Sequence, residues 1–224
     1  MTKIIASYVV WNEEQLIAES IRSLSGYVDG FVFVDSAFTS NPVDVAHSTD
    51  NTRKRAEKAV GELPCTYIES QVKMRLDAAR NLALLAVKDG DWAFIVDGDE
   101  TLLGARPELV DLFYQIRSGE ITEPIGVPVY SAALLARTHA PNLTLDEFEG
   151  LPLIYHRGVQ PRLLPAKGTT WQRVPNGETY GIYRDGALVK PAANPKVMLI
   201  NHHTRQSFDA YRHDYVWETI ERQG

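Results

Sequence analysis

Four short apolar runs, separated by segments with helical spacing, fix what this chain can become. Ile4 to Trp11, Gly30 to Asp35, Cys65 to Glu69 and Asp91 to Asp97 are rich in β-branched and aromatic residues and read as buried strands. After the first run, Asn12 is placed to cap a helix, with Glu13 and Glu14 in its first turn. Leu16, Ile17, Ile21 and Leu24 form the apolar stripe of that helix, which stops near Gly26. Ser36 to His47 is a polar loop, and Asp50 to Leu63, Met74 to Lys88 and Pro107 to Arg117 read as helices. The order βαβαβαβα calls for a parallel sheet covered by helices. Ligands bind such sheets at the carboxyl ends of the strands. Trp11-Asn12, Asp35 and Asp97 all fall there.

The second half is less regular. Ile125 to Leu135 suggests a strand running into a short helix, and Thr138 to Gly150 an acidic loop. Leu151 to Tyr155 and Arg162 to Leu164 suggest two short strands around Gly158 and Pro161, and Gly168 to Gly181 is turn-rich. Val197 to Ile200 reads as a strand ending at Asn201-His202-His203, and Ser207 to Arg222 as a closing helix. No linker divides the 224 residues, so the reading is one domain with a regular half and a less regular one.

Charge and composition narrow the function classes. A 44% hydrophobic content is that of a globular chain with a full core. The formal charge of −6 and the lack of a basic run leave no footprint for non-specific nucleic-acid binding. The single cysteine, Cys65, has no internal partner and lies in an apolar run, which suggests a core thiol in a reducing compartment. The start MTKIIASYVVWNEE lacks the pattern of a secretory signal, and no stretch reaches the roughly 18 apolar residues of a membrane span. The expectation is a soluble, cytoplasmic chain without stable membrane insertion.

Asp97-Gly98-Asp99-Glu100 follows a buried strand directly. Two carboxylates at so tight a turn can share a hard divalent cation, or can form a solvated acidic turn. Several motifs in order extend the reading. Trp11-Asn12-Glu13-Glu14 after the first strand, Asp35 closing the second, RLDAARNL from Arg75 to Leu82, and Asp97-Gly98-Asp99-Glu100 together resemble the family 2 glycosyltransferases of the GT-A fold, in their small DxDE-containing branch. The resemblance covers roughly the first 105 residues well. Later, Pro161-Arg162-Leu163-Leu164, Trp171 and Gly177-Glu178 resemble the branch's "RLF…w…HE" stretch, although Asn176-Gly177 replaces its usual pair and no histidine precedes the glutamate. Leu199-Ile200-Asn201-His202 resembles its "I-x-H".

The resemblance implies a GT-A fold: a Rossmann-like, mainly parallel sheet flanked by helices, with residues 1–105 as a nucleotide-sugar-binding half and 106–224 as a less regular acceptor-binding half. It implies a metal-dependent, inverting transferase whose donor is a nucleotide sugar, with uracil the commonest base. Val10, Asn12, Glu13 and Asp35 would hold the base and ribose. Arg80 would reach the diphosphate or base, with Asp77 one turn away; the same residues can instead form an intrahelical pair, or Arg80 can brace Asp97. Arg75 can be plain surface. Asp97 would contact ribose and metal, Asp99 would be the principal metal carboxylate, and His202 the third ligand. A histidine ligand tilts the cation towards Mn²⁺ while Mg²⁺ stays open. Glu178 would be the base that deprotonates the acceptor, with Asp146, Glu147 and Glu149 as competitors. Trp171, Tyr155, His156 and Tyr180 can line the acceptor side or be core. The acceptor, whether saccharide, protein or peptide side chain, or modified DNA base, is not legible. A nucleotidyltransferase would need a glycine-rich, basic phosphate loop where WNEE stands. A GT-A-shaped binding module without turnover is the remaining alternative.

Overall fold

The computed structural model describes residues 1–103, 106–131, 154–174, 180–194 and 198–201. The chain is α/β, with a mainly parallel sheet flanked by helices. Its first half contains β1 (Ile4–Val10), α1 (Ile17–Leu24), β2 (Gly30–Asp35), α2 (Thr52–Val60), β3 (Cys65–Glu69), α3 (Leu76–Leu85) and β4 (Trp92–Asp97). Then follow β5 (Glu100–Leu103), α4 (Arg106–Ser118), β6 (Ile125–Ser131), β7 (Ile154–Pro165), β8 (Thr169–Arg173), β9 (Tyr180–Arg184), β10 (Ala187–Val189), β11 (Ala192–Ala193) and β12 (Met198–Asn201).

The strand order is β3-β2-β1-β4-β7-β6-β12-β5, with β11 beside β6. Strands β3, β2, β1 and β4 are mutually parallel, as the βα alternation requires. Their residues alternate between two cores. Ala6, Tyr8, Phe31, Phe33, Phe94 and Val96 pack with α1 and with the α4 stripe Leu109, Leu112, Phe113 and Ile116. Val32, Val34, Ala93 and Ile95 pack on the other face with Ala79, Ala83 and Leu84 of α3 and with Trp171 and Ile182 of the small sheet β10-β9-β8.

Beyond β4 the sheet turns mixed, with β7 antiparallel to both β4 and β6, and β12 parallel to β6 but antiparallel to β5. The path from β4 to β5 runs through three other strands, yet β4 and β5 are joined by Gly98 and Asp99 alone. The sheet therefore curls back on itself, and the Asp97–Glu100 turn lies at the closure.

Several expectations need correction. Asn12 does not cap α1; it adopts a left-handed φ of 54°, tolerated by asparagine, and the helix starts five residues later with Leu16 at its N-cap. The second and third helices are shorter than the spacing suggests. Cys65 is exposed at the start of edge strand β3 rather than buried. The two short strands expected around Gly158 are one strand, β7, which pairing to β4 and β6 holds extended through Pro161. The turn-rich segment after Gly168 contains β8. The expected acidic loop and C-terminal helix lie outside the described residues. Among the described residues no helix is long and apolar enough to cross a membrane.

Candidate active site

Parallel pairing sets Val10 beside Asp35 and Val9 beside Asp97, so the last residues of β1, β2 and β4 form one edge. At this edge the β1 turn is tied to residues 48–52. The Asn12 N–H donates to Ser48 Oγ (2.9 Å), Glu13 N–H to Thr52 Oγ1 (2.7 Å) and Glu14 N–H to Asp50 Oδ2 (3.2 Å). Thr49 N–H donates back to Asn12 Oδ1 (2.9 Å), and Asn51 donates twice to Glu14, which holds that carboxyl below its ordinary range. These bonds explain why the turn does not continue into a helix at Asn12. Asp35 is buried and accepts from the N–H and hydroxyl of Ser48 (2.8 and 2.7 Å) and from the Tyr67 hydroxyl (2.8 Å). Its carboxylate is thereby bonded within the chain, where it organises the 48–52 segment. Burial, then the Asp35 charge and hydrogen bond, push the Tyr67 phenol up.

The second half of the edge is the Asp97–Glu100 turn. Asp99 and Glu100 are buried, while Asp97 stays part-exposed. Glu100 folds back so that its Oε2 accepts the Asp97 N–H (3.0 Å), and its Oε1 meets Arg162 Nη2 at 2.6 Å. Burial pushes the Glu100 carboxyl above the ordinary range; Arg162 opposes this, and Asp97 and Asp99 add to it. For Arg162, burial works against the charge, but Glu100, Asp97 and Asp99 outweigh it and the guanidinium is raised. Asp97 lies between two arginines, with Oδ1 3.2 Å from Arg80 Nη2 and Oδ2 3.5 Å from Arg162 Nη2. Below the turn, Ser20 Oγ donates to the Glu100 carbonyl and meets the Tyr8 hydroxyl at 3.0 Å. That phenol is pushed up mainly by burial.

Arg80 braces Asp97 rather than pairing with Asp77. Asp77 is bonded instead by Arg75, an exposed surface residue, at 3.1 and 3.0 Å, and no Asp77–Arg80 pair forms. The Arg80 guanidinium also lies 4.5 Å from the Trp171 ring centre, a cation–π contact. Trp171 is buried, and its backbone is held by Asn81 at both N–H (2.7 Å) and carbonyl (2.9 Å). Val10 is buried and faces Gly98: a side-chain carbon added to Gly98 would lie 3.3 Å from Val10 Cγ1 and 2.9 Å from Glu13 Cγ. The edge thus joins Val10, Glu13 and the Asp97–Glu100 turn.

Glu178 and His202 lie outside the described residues, as do Asp146, Glu147 and Glu149. Asn201, which precedes His202, is registered directly opposite Glu100. Among the described residues no three histidine, cysteine or carboxylate side chains cluster closely enough to hold a metal ion. Sequence reasoning named Arg162 within a motif but gave it no role, and it missed the hydrogen-bonding roles of Ser48, Thr52 and Asn81. One signal was available for Arg162: an arginine in the apolar strand Arg162-Leu163-Leu164 must find a partner if buried.

No protein-family model and no curated protein matches the sequence. Among solved structures, the chain is similar to S. aureus TarS (1-349), with 19% identity and a TM-score of 0.46 over 64% of this chain and 38% of that one. It is similar to the same protein in complex with UDP-GlcNAc, at 19% and 0.46 over 64% and 37%. It is also similar to glucosyl-3-phosphoglycerate synthase from Mycobacterium tuberculosis in complex with Mn²⁺, UDP-glucose and phosphoglyceric acid, at 20% and 0.44 over 74% and 57%. The alignment thus spans less than two fifths of TarS (1-349).

Proposed function

We propose that this chain is a metal-dependent, inverting glycosyltransferase of the GT-A type, in the DxDE-containing branch of family 2. It would move a sugar from a nucleotide donor, with uracil as the base, to an acceptor nucleophile. One observation carries the reading: β12 runs antiparallel to β5 so that Asn201 sits opposite Glu100, which brings the chain just before His202 to the turn bearing Asp97 and Asp99. Two sequence-distant motifs of the resemblance thereby meet at one sheet edge.

The chemistry of the residue types would suit a divalent cation: Asp97, now held by Arg80 and Arg162, and Asp99 would supply hard carboxylate oxygens at a strand's carboxyl end, and His202 and the substrate diphosphate would complete the shell. When bound, Mn²⁺ or Mg²⁺ supplies Lewis-acid stabilisation of the departing diphosphate. Arg80 holds Asp97 and would add positive charge beside the donor's phosphates. Val10, Asn12 and Glu13 form the wall against which base and ribose would lie, and Asp35 holds that wall through Ser48. Asp77, held by Arg75, would support the helix carrying Arg80. Glu178 would take the acceptor's proton, from a half of the same domain that contacts the acceptor.

The β1 turn disfavours a nucleotidyltransferase. A phosphate-cradling loop aims free N–H groups at its ligand, whereas the N–H groups of Asn12, Glu13 and Glu14 already donate to Ser48, Thr52 and Asp50.

Titration calorimetry of UDP with and without Mn²⁺ tests the reading. UDP is expected to bind only with the metal, and Asp99→Ala to abolish that binding. Metal-independent binding that Asp99→Ala leaves unchanged would remove the metal-site assignment, and no nucleotide binding at all would leave a non-catalytic module. Glu178→Gln is expected to bind donor normally but to lose transfer by about 10²–10⁴. Near-normal transfer would move the base to the acidic segment.

A further inference from the structure

We infer that Arg162 is a positioning residue, which with Glu100 fixes the shape of the Asp97–Glu100 turn on which cation and donor binding depend. The inference rests on the reading above and deepens it. Arg162 is the largest fully buried side chain among the described residues, and it arises from an otherwise apolar stretch of β7. Burying an arginine with a glutamate carries a desolvation penalty that a packed apolar pair of similar volume avoids. Stability alone gives little reason for the pair.

Its contacts show what the pair holds. Arg162 Nη1 donates to the Ile95 carbonyl (3.3 Å); Nη2 donates to Glu100 Oε1 (2.6 Å) and Gln160 Oε1 (3.0 Å) and lies 3.5 Å from Asp97 Oδ2. Glu100 in turn accepts the Asp97 N–H through its other oxygen. Among the described residues, every group gripped apart from Gln160 lies at residues 95–100, on both sides of Gly98 and Asp99. Arg80 holds the remaining oxygen of Asp97 from α3. The backbone on either side of Asp99, and the rotamer of Asp97, are therefore set from two different elements, β7 and α3. Supporting groups of this kind orient first-contact ligands, and their loss commonly weakens metal affinity by about 10–100-fold.

The test uses the full chain with Mn²⁺ and UDP as probes. Arg162→Met alone would strand Glu100 as an unpaired buried charge, so the informative variant is Arg162→Met/Glu100→Met, which replaces the pair with apolar side chains of similar length. It is expected to fold, by near-UV circular dichroism, and to weaken Mn²⁺-dependent UDP binding by about 10–100-fold. Hydrogen exchange of a 95–102 peptide, measured without metal, is expected to speed up. Arg162→Lys, which keeps a charge for Glu100 but not the fork reaching Asp97 and Ile95, is expected to fall between, and replaces the double variant if that one does not fold. A folded variant with unchanged affinity and unchanged exchange overturns the inference. Asp99→Asn separates the two levels. If Asp99→Asn binds Mn²⁺ and UDP as the unmodified chain does, the metal-site assignment above fails, and the exchange of the 95–102 peptide still decides whether Arg162 shapes the turn.

Discussion

Gly98 has no room for a side chain. In the sequence it reads as the residue that permits a tight turn between two aspartates. The structure gives a different reason: its φ is not left-handed, but a methyl group would press to 2.9 Å from Glu13 Cγ, 3.2 Å from Glu13 Cβ and 3.3 Å from Val10 Cγ1. Gly98 is where the β4 turn meets the β1 turn. Overpacking of this kind typically costs about 1–3 kcal/mol. Gly98→Ala is therefore expected to lower the urea midpoint without changing the slope, and to weaken UDP binding because Glu13 must move. Unaltered stability would mean that Glu13 swings aside freely and is not part of the wall.

At the scale of elements, α3 shows what periodicity can and cannot reveal. Its helical spacing is visible in RLDAARNL, because Ala79, Ala83 and Leu84 make a local apolar face. The sequence left the task of Arg80 open between bracing Asp97, pairing with Asp77 and reaching the donor, and it hid that of Asn81, because their partners lie 17 residues away at Asp97 and 90 residues away at Trp171. Asn81 pairs with both backbone groups of Trp171 much as a neighbouring strand would, fastening β8 to the helix. Arg162 and Glu100 were illegible for the same reason, being 62 residues apart. Asn81→Leu removes both bonds and leaves the Trp171 N–H and carbonyl without their partner. A fully buried group so stranded costs about 1–3 kcal/mol, and these two are part-buried, so a loss of about 1–3 kcal/mol in all is expected. Denaturant unfolding measures it, and Trp171 fluorescence should shift to the red as β8 loosens. Retained stability would show that water replaces the amide and that β8 is held by its apolar contacts instead.

For the whole molecule, the parallel half was readable because each βα unit announces itself within about 30 residues. The mixed half was not, since β7, β12 and β5 pair across long separations and a mixed sheet has no repeating signature. The consequence for function is geometric: the curl that runs from β4 round to β5 closes at the Asp97–Glu100 turn, so the proposed cation site lies at the seam between the two halves. A cation and nucleotide bound at a seam tie strands together that otherwise meet through a two-residue connection. Binding should then appear as global stabilisation. At free UDP near a hundred times its dissociation constant, with Mn²⁺ present, mass action supplies about 2.7 kcal/mol, which for a chain of this size raises Tm by about 5–10 °C. EDTA should abolish the UDP-dependent shift while leaving the ligand-free Tm where it was. A shift that survives EDTA would place nucleotide binding away from the Asp97–Glu100 turn. A fall in the ligand-free Tm on adding EDTA would mean that the isolated chain already carries a structural metal.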